Sequence, residues 1–336
     1  MSAVNDFPVL SHFIPAANVI SIAGTDSADI ALANVLTGLS FAEPLAEHTV
    51  IIDGTEHPVI ALPALDIAVG DEQARHAVLC EHLLTALKDM TIPTDSLGLM
   101  VTGDIRLDVV SMFTGYLALS IEAVITEKTV MATLQHFEQL QPEKNIENWL
   151  WVSLHAGCAA DRIRKMDSKI ATDASSEQPI PADAAIAVLL TKSKHATEPG
   201  RILSAVEPNA DDPLTQPSQT LKKMFADQRN SQNSVLIHSM PPTAEGSIEL
   251  YRLEQALTEK RETKSDLPWH QINPLRHNMA SILGDLGVCQ LPFQLVFQQV
   301  WKQDQPLMTL AVEGNTRITW KLPSAEGRTG TPQNTQ

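Results

Sequence analysis

Cysteine is the first scarcity in this chain of 336 residues. Cys80, Cys158 and Cys289 are odd in number and scattered singly. That excludes a disulfide framework and a paired-thiolate zinc motif, and it points to a reducing, cytoplasmic setting. Basic residues are the second: 24 Lys and Arg stand against 40 Asp and Glu, a formal net charge of −16. General binding to a phosphate backbone rests on clustered cations, so nucleic acid is excluded as the default partner. Long apolar runs are absent as well. The longest, residues 60–69 and 186–190, fall short of the roughly 20 residues that span a bilayer and are broken by proline or bounded by charge. Residues 1–18 carry no basic region ahead of an apolar stretch, so neither a signal peptide nor a membrane partner is expected. Gly24, Gly38, Gly284 and Gly287 are not spaced as a phosphate-binding loop, and no internal repeat of roughly 20–50 residues is visible. The expectation is no cofactor and no metal.

What is present is an ordinary globular composition, 43% hydrophobic and 19% charged, with too much apolar content for a disordered chain. Residues 18–23 read as a buried strand, and 26–38 as a helix with an Asp or Ser cap and a closing glycine. Residues 48–58 alternate as a strand running into a turn at Asp53-Gly54. Residues 71–88 form the clearest amphipathic helix, with Ala74, Val78, Leu79, His82, Leu83 and Leu87 at helical spacing. Residues 96–102, 149–154, 184–190 and 234–238 read as buried strands; 109–126, 129–140, 219–228, 247–259 and 280–300 read as helices. Residues 308–312 and 316–322 predict a terminal hairpin around Glu313-Gly314-Asn315. Between them, residues 207–218 carry Pro208, Pro213 and Pro217 with three acids, as a surface connection would, and 259–266 is a charged exposed segment. Strands alternating with helices indicate an α/β protein with buried, partly parallel sheets.

The order of these features resembles the beta-ketoacyl synthases, the condensing enzymes of the thiolase-like fold. Residues 19–40 (VISIAGTDSADIALANVLTGLS) are similar to that family's first strand, turn and helix. Residues 181–202, PADAAIAVLL followed by Ala196 and Gly200-Arg201-Ile202, resemble the end of its first half. VLIHSMPPTAEGSIEL (235–250) resembles its His-Gly-Thr-Gly-Thr loop, with His238 at the His and Ile248-Glu249 at the Ile-Glu spacing. SILGDLGVC (281–289) is similar to the loop with the second His, and EGNTRITWKL (313–322) to the C-terminal Gly-Gly-Thr-Asn strand. The resemblance implies a duplicated α-β-α-β-α layered fold with mixed sheets: a half over residues 14–204, a second over 205–323, and a flexible tail over 324–336.

Decarboxylative condensation needs an activated thiolate, donors that stabilise an enolate, and an oxyanion hole. By the resemblance these fall to a Cys, two His and a supporting Lys. The nucleophile position lies in ITEKTVMATLQ (125–135), which has no Cys; Thr129 stands there, a poor nucleophile without an adjacent base. Pro241 and Pro242 replace glycines of the family's loop and supply no backbone N–H. Gly284-Asp285-Leu286-Gly287 puts Asp285 at the second His, where a carboxylate would repel an enolate; a shifted alignment puts His277 there instead. The Lys falls near Ala280, and the family's Gly-Phe-Gly reads Ala311-Val312-Glu313-Gly314. The remnant pocket is therefore assigned to Thr129, His238, Glu249, His277 and Asp285, with no residue assigned to catalysis.

The resemblance thus implies a pseudoenzyme, a structural or chain-length-factor-like subunit in a homodimer or in a heterodimer with a thiolase-fold homologue. An acyl carrier or other protein partner is a further reading, with basic residues in 162–169 and 192–194 as its docking sites. The alternative is an active acyl-transfer or condensing enzyme with a relocated nucleophile, Cys158 or Thr129, and His238 as base. Three further groups have plainer readings. Cys158 with His155 reads better as a small residue in a packed turn. His76 and Cys80 share a helix face, but His82 points roughly 200° away from Cys80, so two ligands make no zinc site. His270 and His277 flank Pro274 in a loop.

Overall fold

The computed structural model describes residues 4–64, 70–93, 96–105, 108–117, 120–166, 169–175, 177–193, 196–198, 200–206, 224, 234–258, 275–303, 305–322 and 324–325. The chain runs β1 (Val4–Asp6), β2 (Phe13–Ile22), α1 (Ala28–Thr37), β3 (Glu43–Ile52), β4 (Thr55–Ala61), α2 (Glu72–Leu87), β5 (Leu97–Thr102) and α3 (Val109–Leu117). Then come β6 (Ile121–Glu127), α4 (Val130–Lys144), β7 (Asn148–Ala156), α5 (Ala160–Met166), β8 (Asp183–Lys192), β9 (Ala196–Glu198), β10 (Arg201–Val206) and β11 (Val235–His238). α6 (Ala244–Thr258), β12 (Leu275–Asn278), α7 (Met279–Leu283), α8 (Gln290–Val300), β13 (Leu307–Glu313), β14 (Thr316–Lys321) and β15 (Ser324–Ala325) follow.

Two sheets carry the fold, and they share one topology. The five-stranded sheet has the order β2-β8-β7-β5-β6. The second sheet has the order β10-β14-β13-β11-β12, with β1 added outside β10. Counting strands within each set in chain order, both read first-fifth-fourth-second-third. In both, the fifth strand is antiparallel to its neighbours: β8 to β2 and β7, and β14 to β10 and β13. The remaining pairs are parallel. Hydrophobic faces that must all be covered explain the layering. Strands β7 and β8 are buried nearly end to end, as strands covered on both faces must be. Trp149 and Trp151 face inward toward Ile237, Ile318 and Trp320 of the second sheet, with Leu134 and Phe137 of α4 and Phe293 and Phe297 of α8 between them. Leu79 and Leu83 of α2 and Phe113 of α3 cover the outer face of the first sheet. Leu250 of α6 packs with Leu236 and Leu310 on the outer face of the second. The arrangement is α-β-α-β-α, as expected.

Two helices expected from periodicity come out differently. Residues 109–126 are not one helix: α3 ends at Leu117, and Ile121–Glu127 is strand β6. Its residues alternate in burial and pair in parallel with β5, so the β-branched side chains follow the pleat. Residues 280–300 break at Gly284, whose φ of 78° and close approach to Ala182 end α7; a 3-10 turn over Gly287–Cys289 precedes α8. The expected helix at 219–228, the segments at 207–218 and 259–266, and His270 lie outside the described residues, Met224 excepted. Ser324 and Ala325 pair with β9. No helix among the described residues is long and apolar enough to cross a membrane.

Candidate functional site

The site is built where the two halves meet, at the start of α4. Thr129 is the N-cap of that helix: its backbone is extended, and its hydroxyl accepts from the Ala132 N–H at 3.2 Å. The next two amides point out of the helix end, where an anion is favoured. They donate to the carboxylate of Glu313, from Val130 at 2.8 Å and from Met131 at 3.3 Å. Glu313 is the last residue of β13, in the other half. Burial pushes its carboxyl up, while the two amide hydrogen bonds pull it down.

Beside it, the loop into α8 is held by a side-chain network. Asp285 accepts at Oδ1 from the Gly287 N–H at 3.0 Å and from the Gln290 amide at 3.1 Å. Gln290 Oε1 accepts from the Ser239 hydroxyl at 2.5 Å, and the Val312 N–H donates to Ser239 Oγ at 3.0 Å. Gly287 has φ of 50°, and a Cβ on it would overlap the ring of His155. His155, second from the end of β7, is buried; desolvation pushes its pKa down against the pull of Asp285, so the ring is neutral. Arg162 lies 3.4 Å from its Nδ1 and pairs with Glu72 at 2.7 Å. A cleft of about 260 Å³ opens among Gly103, Lys128, His155, Asp285, Glu313 and Gly314. A second, of about 240 Å³, is lined by Ile180, Pro241, Pro242, Asp285 and Gln290.

No family model and no curated protein matches this sequence. Solved structures do match. The ketosynthase from module 6 of the bacillaene synthase of Bacillus subtilis 168 superimposes with a TM-score of 0.61 at 10% identity, covering 93% of this chain and 72% of that one. The fold is that of the thiolase-like ketosynthases. An oxazolomycin ketosynthase domain from Streptomyces albus JA3453 gives 0.62 at 10% identity, covering 94% of this chain and 76% of that one. The PfaC keto synthase–chain length factor gives 0.61 at 8% identity, covering 95% of this chain and 43% of its own.

On this ketosynthase fold the expected site residues separate. Thr129 is exposed and engaged as the cap of α4, and Asp285 lines both clefts. His238 lines neither. It is 2% exposed at the end of β11, its Nδ1 accepts from the Met240 N–H at 3.3 Å, and burial, with Arg276 and His277 nearby, pushes its pKa down to about 4. His277 is on β12, with a ring held by the Val35 carbonyl and a buried Nε2 that has no partner among the described residues. Glu249 forms a bidentate pair with Arg317 at 2.6 and 2.7 Å; Arg317 also donates to the Gly314 carbonyl at 2.8 Å. Glu249 therefore positions the turn that follows Glu313. Met240 packs among Leu236 and Leu310 in the outer core, and Leu286 in the central one.

Cys158 is buried against Asp183, which accepts its N–H at 3.1 Å, and burial pushes its thiol well up. Burial likewise pushes Cys80 up to about 12, and His82 is exposed. Among the described residues no three His, Cys, Asp or Glu side chains come together to hold a metal ion. Sequence reasoning missed Glu313, Gln290 and Ser239. The signal for Glu313 was a carboxylate standing where the resembled family has glycine.

Proposed function

We propose that this chain is a catalytically silent protein of the ketosynthase fold that acts as a partner subunit. The observation that carries the reading is the Glu313 carboxylate on the Val130 and Met131 amides, at the helix end where the resembled family holds its nucleophile. With Thr129 spent as a cap, that end has no thiolate and no vacant amide pair for an oxyanion. Asp285 offers oxygens, not donors, and the neutral His238 lies outside the clefts. The surroundings of Cys158 disfavour a relocated nucleophile, because burial and the Asp183 carboxylate oppose its ionisation and outweigh the pull of Arg75. Incubation with an acyl thioester is expected to give no covalent mass shift and no turnover; a stable acyl adduct would overturn the reading.

The partner surface we propose is β6, the outermost strand of the first sheet. Glu122, Val124 and Thr126 are exposed along it, and its pairing among the described residues is with β5 alone. A bare sheet edge invites another strand, and a homodimer or a heterodimer with a thiolase-fold homologue would cover it. PfaC, similar in fold, is a keto synthase–chain length factor. Size-exclusion chromatography with light scattering is expected to give a dimer that Val124→Lys weakens; a clean monomer, alone and with a homologue, would sink the proposal. We assign the two halves to residues 14–204 and 205–323, in a cytoplasmic protein. Docking of an acidic carrier protein would use the exposed Arg164, Lys165 and Lys169, and charge reversal there should abolish pull-down.

A further inference from the structure

A polar cavity lies beyond the cleft, at the C-terminal rim of the first sheet. The first turn of α2, the start of α5 and the residues after β5 converge around about 200 Å³ lined by Asp71, Glu72, Gln73, His76, Asp104 and Asp161. Most of these groups are engaged. Asp71 accepts from the Ala74 N–H at 2.7 Å, Glu72 pairs with Arg162, and Asp104 pairs with Lys128 at 2.7 Å. Two are not fully used. His76 is 2% exposed, faces this space and makes no hydrogen bond to a described residue, whereas buried imidazoles are normally bonded. Oδ1 of Asp161 is buried with no partner among the described residues, its other oxygen lying 3.7 Å from Lys165.

Burial pushes the His76 pKa down, so it offers a neutral nitrogen as acceptor. A neighbouring cleft of about 380 Å³ shares Glu72 and Asp104 and continues past Met166 and Pro181 to Asp285. Its cations, Arg162 and Lys165, are already turned to Glu72 and Asp161. The trench therefore presents carboxylates and an acceptor nitrogen at one end, an apolar stretch, and another carboxylate at the far end. An anion would meet five carboxylates. A bare metal ion is disfavoured because no three ligating side chains come close enough together.

We propose that this trench binds a protonated aliphatic amine, whose ammonium group donates to Asp161 and His76 and whose methylenes run along Met166 and Pro181. The same chemistry is supplied by a free polyamine or by a lysine side chain of a protein. The site adjoins the Glu313 cleft, with which it shares Asp285, but it does not depend on the chain being silent.

The test is titration of the full chain with spermidine by calorimetry at physiological ionic strength, with the His76 ring nitrogens followed by NMR. Saturable binding is expected, with a shift of the His76 resonances and a loss of about tenfold or more in affinity in Asp161→Asn, the cost of one charge-assisted hydrogen bond. Asp161 is partly exposed, so this variant should melt like the parent. Tighter binding of Nα-acetyl-lysinamide than of spermidine would identify a protein side chain as the source, and the reverse a free polyamine. No saturation at about 10 mM, an unchanged affinity in Asp161→Asn, or equal displacement by magnesium would overturn the proposal.

Discussion

Helices α4 and α8 stand at the same place in the two halves, between the third and fourth strands of each unit, and the fourth strand of the opposite half ends against each one's start. At α4 the visitor is Glu313 from β13, a carboxylate on two free amides. Ahead of α8 it is His155 from β7, a neutral ring pressed on Gly287. The difference follows from what each helix end leaves unsatisfied. The α4 amides face outward and take an anion, which a helix dipole stabilises by about 0.3–1 kcal/mol, more when partly buried. The approach to α8 is already bonded by Asp285, so it takes a neutral packing group instead. One fold closes two equivalent places by charge in one half and by shape in the other.

The shape-closed end is expected to break hardest. Gly287→Ala adds a Cβ into the His155 ring at a left-handed φ, and should cost about 3 kcal/mol in urea unfolding. A loss near that of an exposed surface change would mean that the ring moves freely aside.

Acidification probes the buried imidazoles of both halves. His238, held down to about 4, contributes stability that is full above the ordinary His pKa of 6.5 and lost as pH falls from there toward 4. The loss approaches about 3 kcal/mol for that residue. His238→Gln should flatten the urea midpoint between pH 7 and 4.5; an unchanged slope would assign the pH dependence to other groups.

At the charge-closed end, removing Glu313→Ala should cost about 1–2 kcal/mol through the lost amide partners. Glu313→Gln keeps an acceptor and removes a buried charge, so it should cost less. Because the Glu313 pKa is raised in the fold, parent stability relative to Glu313→Gln should rise as pH falls through that raised pKa toward the ordinary carboxyl value of 4.5. The opposite trend in paired unfolding curves would mean that the helix end outweighs desolvation. Thr129→Ala should have the smallest effect, about 1 kcal/mol from the lost cap, measurable as a shifted urea midpoint.

Sequence periodicity predicts the fold where the information is local. The apolar runs of β5, β7 and β8, the helices starting near Asp71 and Thr129, and the turn at Asp53-Gly54 are consequences of neighbouring residues, and all are found in place. It failed at β6, whose apolar residues also fit a helix and which is a strand because β5 offers it an edge. It failed again at Gly284, where the conformation answers to Ala182 on a distant loop. His238 and Glu249 were legible as special positions, but their surroundings were not: one ring is buried in the second sheet, and the other side chain is paired with Arg317.

The sequence alone determined an α/β chain with no cysteine where the resembled chemistry needs one, because strand and helix periodicity and residue identity are local properties. Only the tertiary structure decided what fills that place. Glu313 lies 183 positions along the chain from Val130, and no local preference can bring a carboxylate to a helix end across that separation; the packing of two sheets around a shared helical layer does.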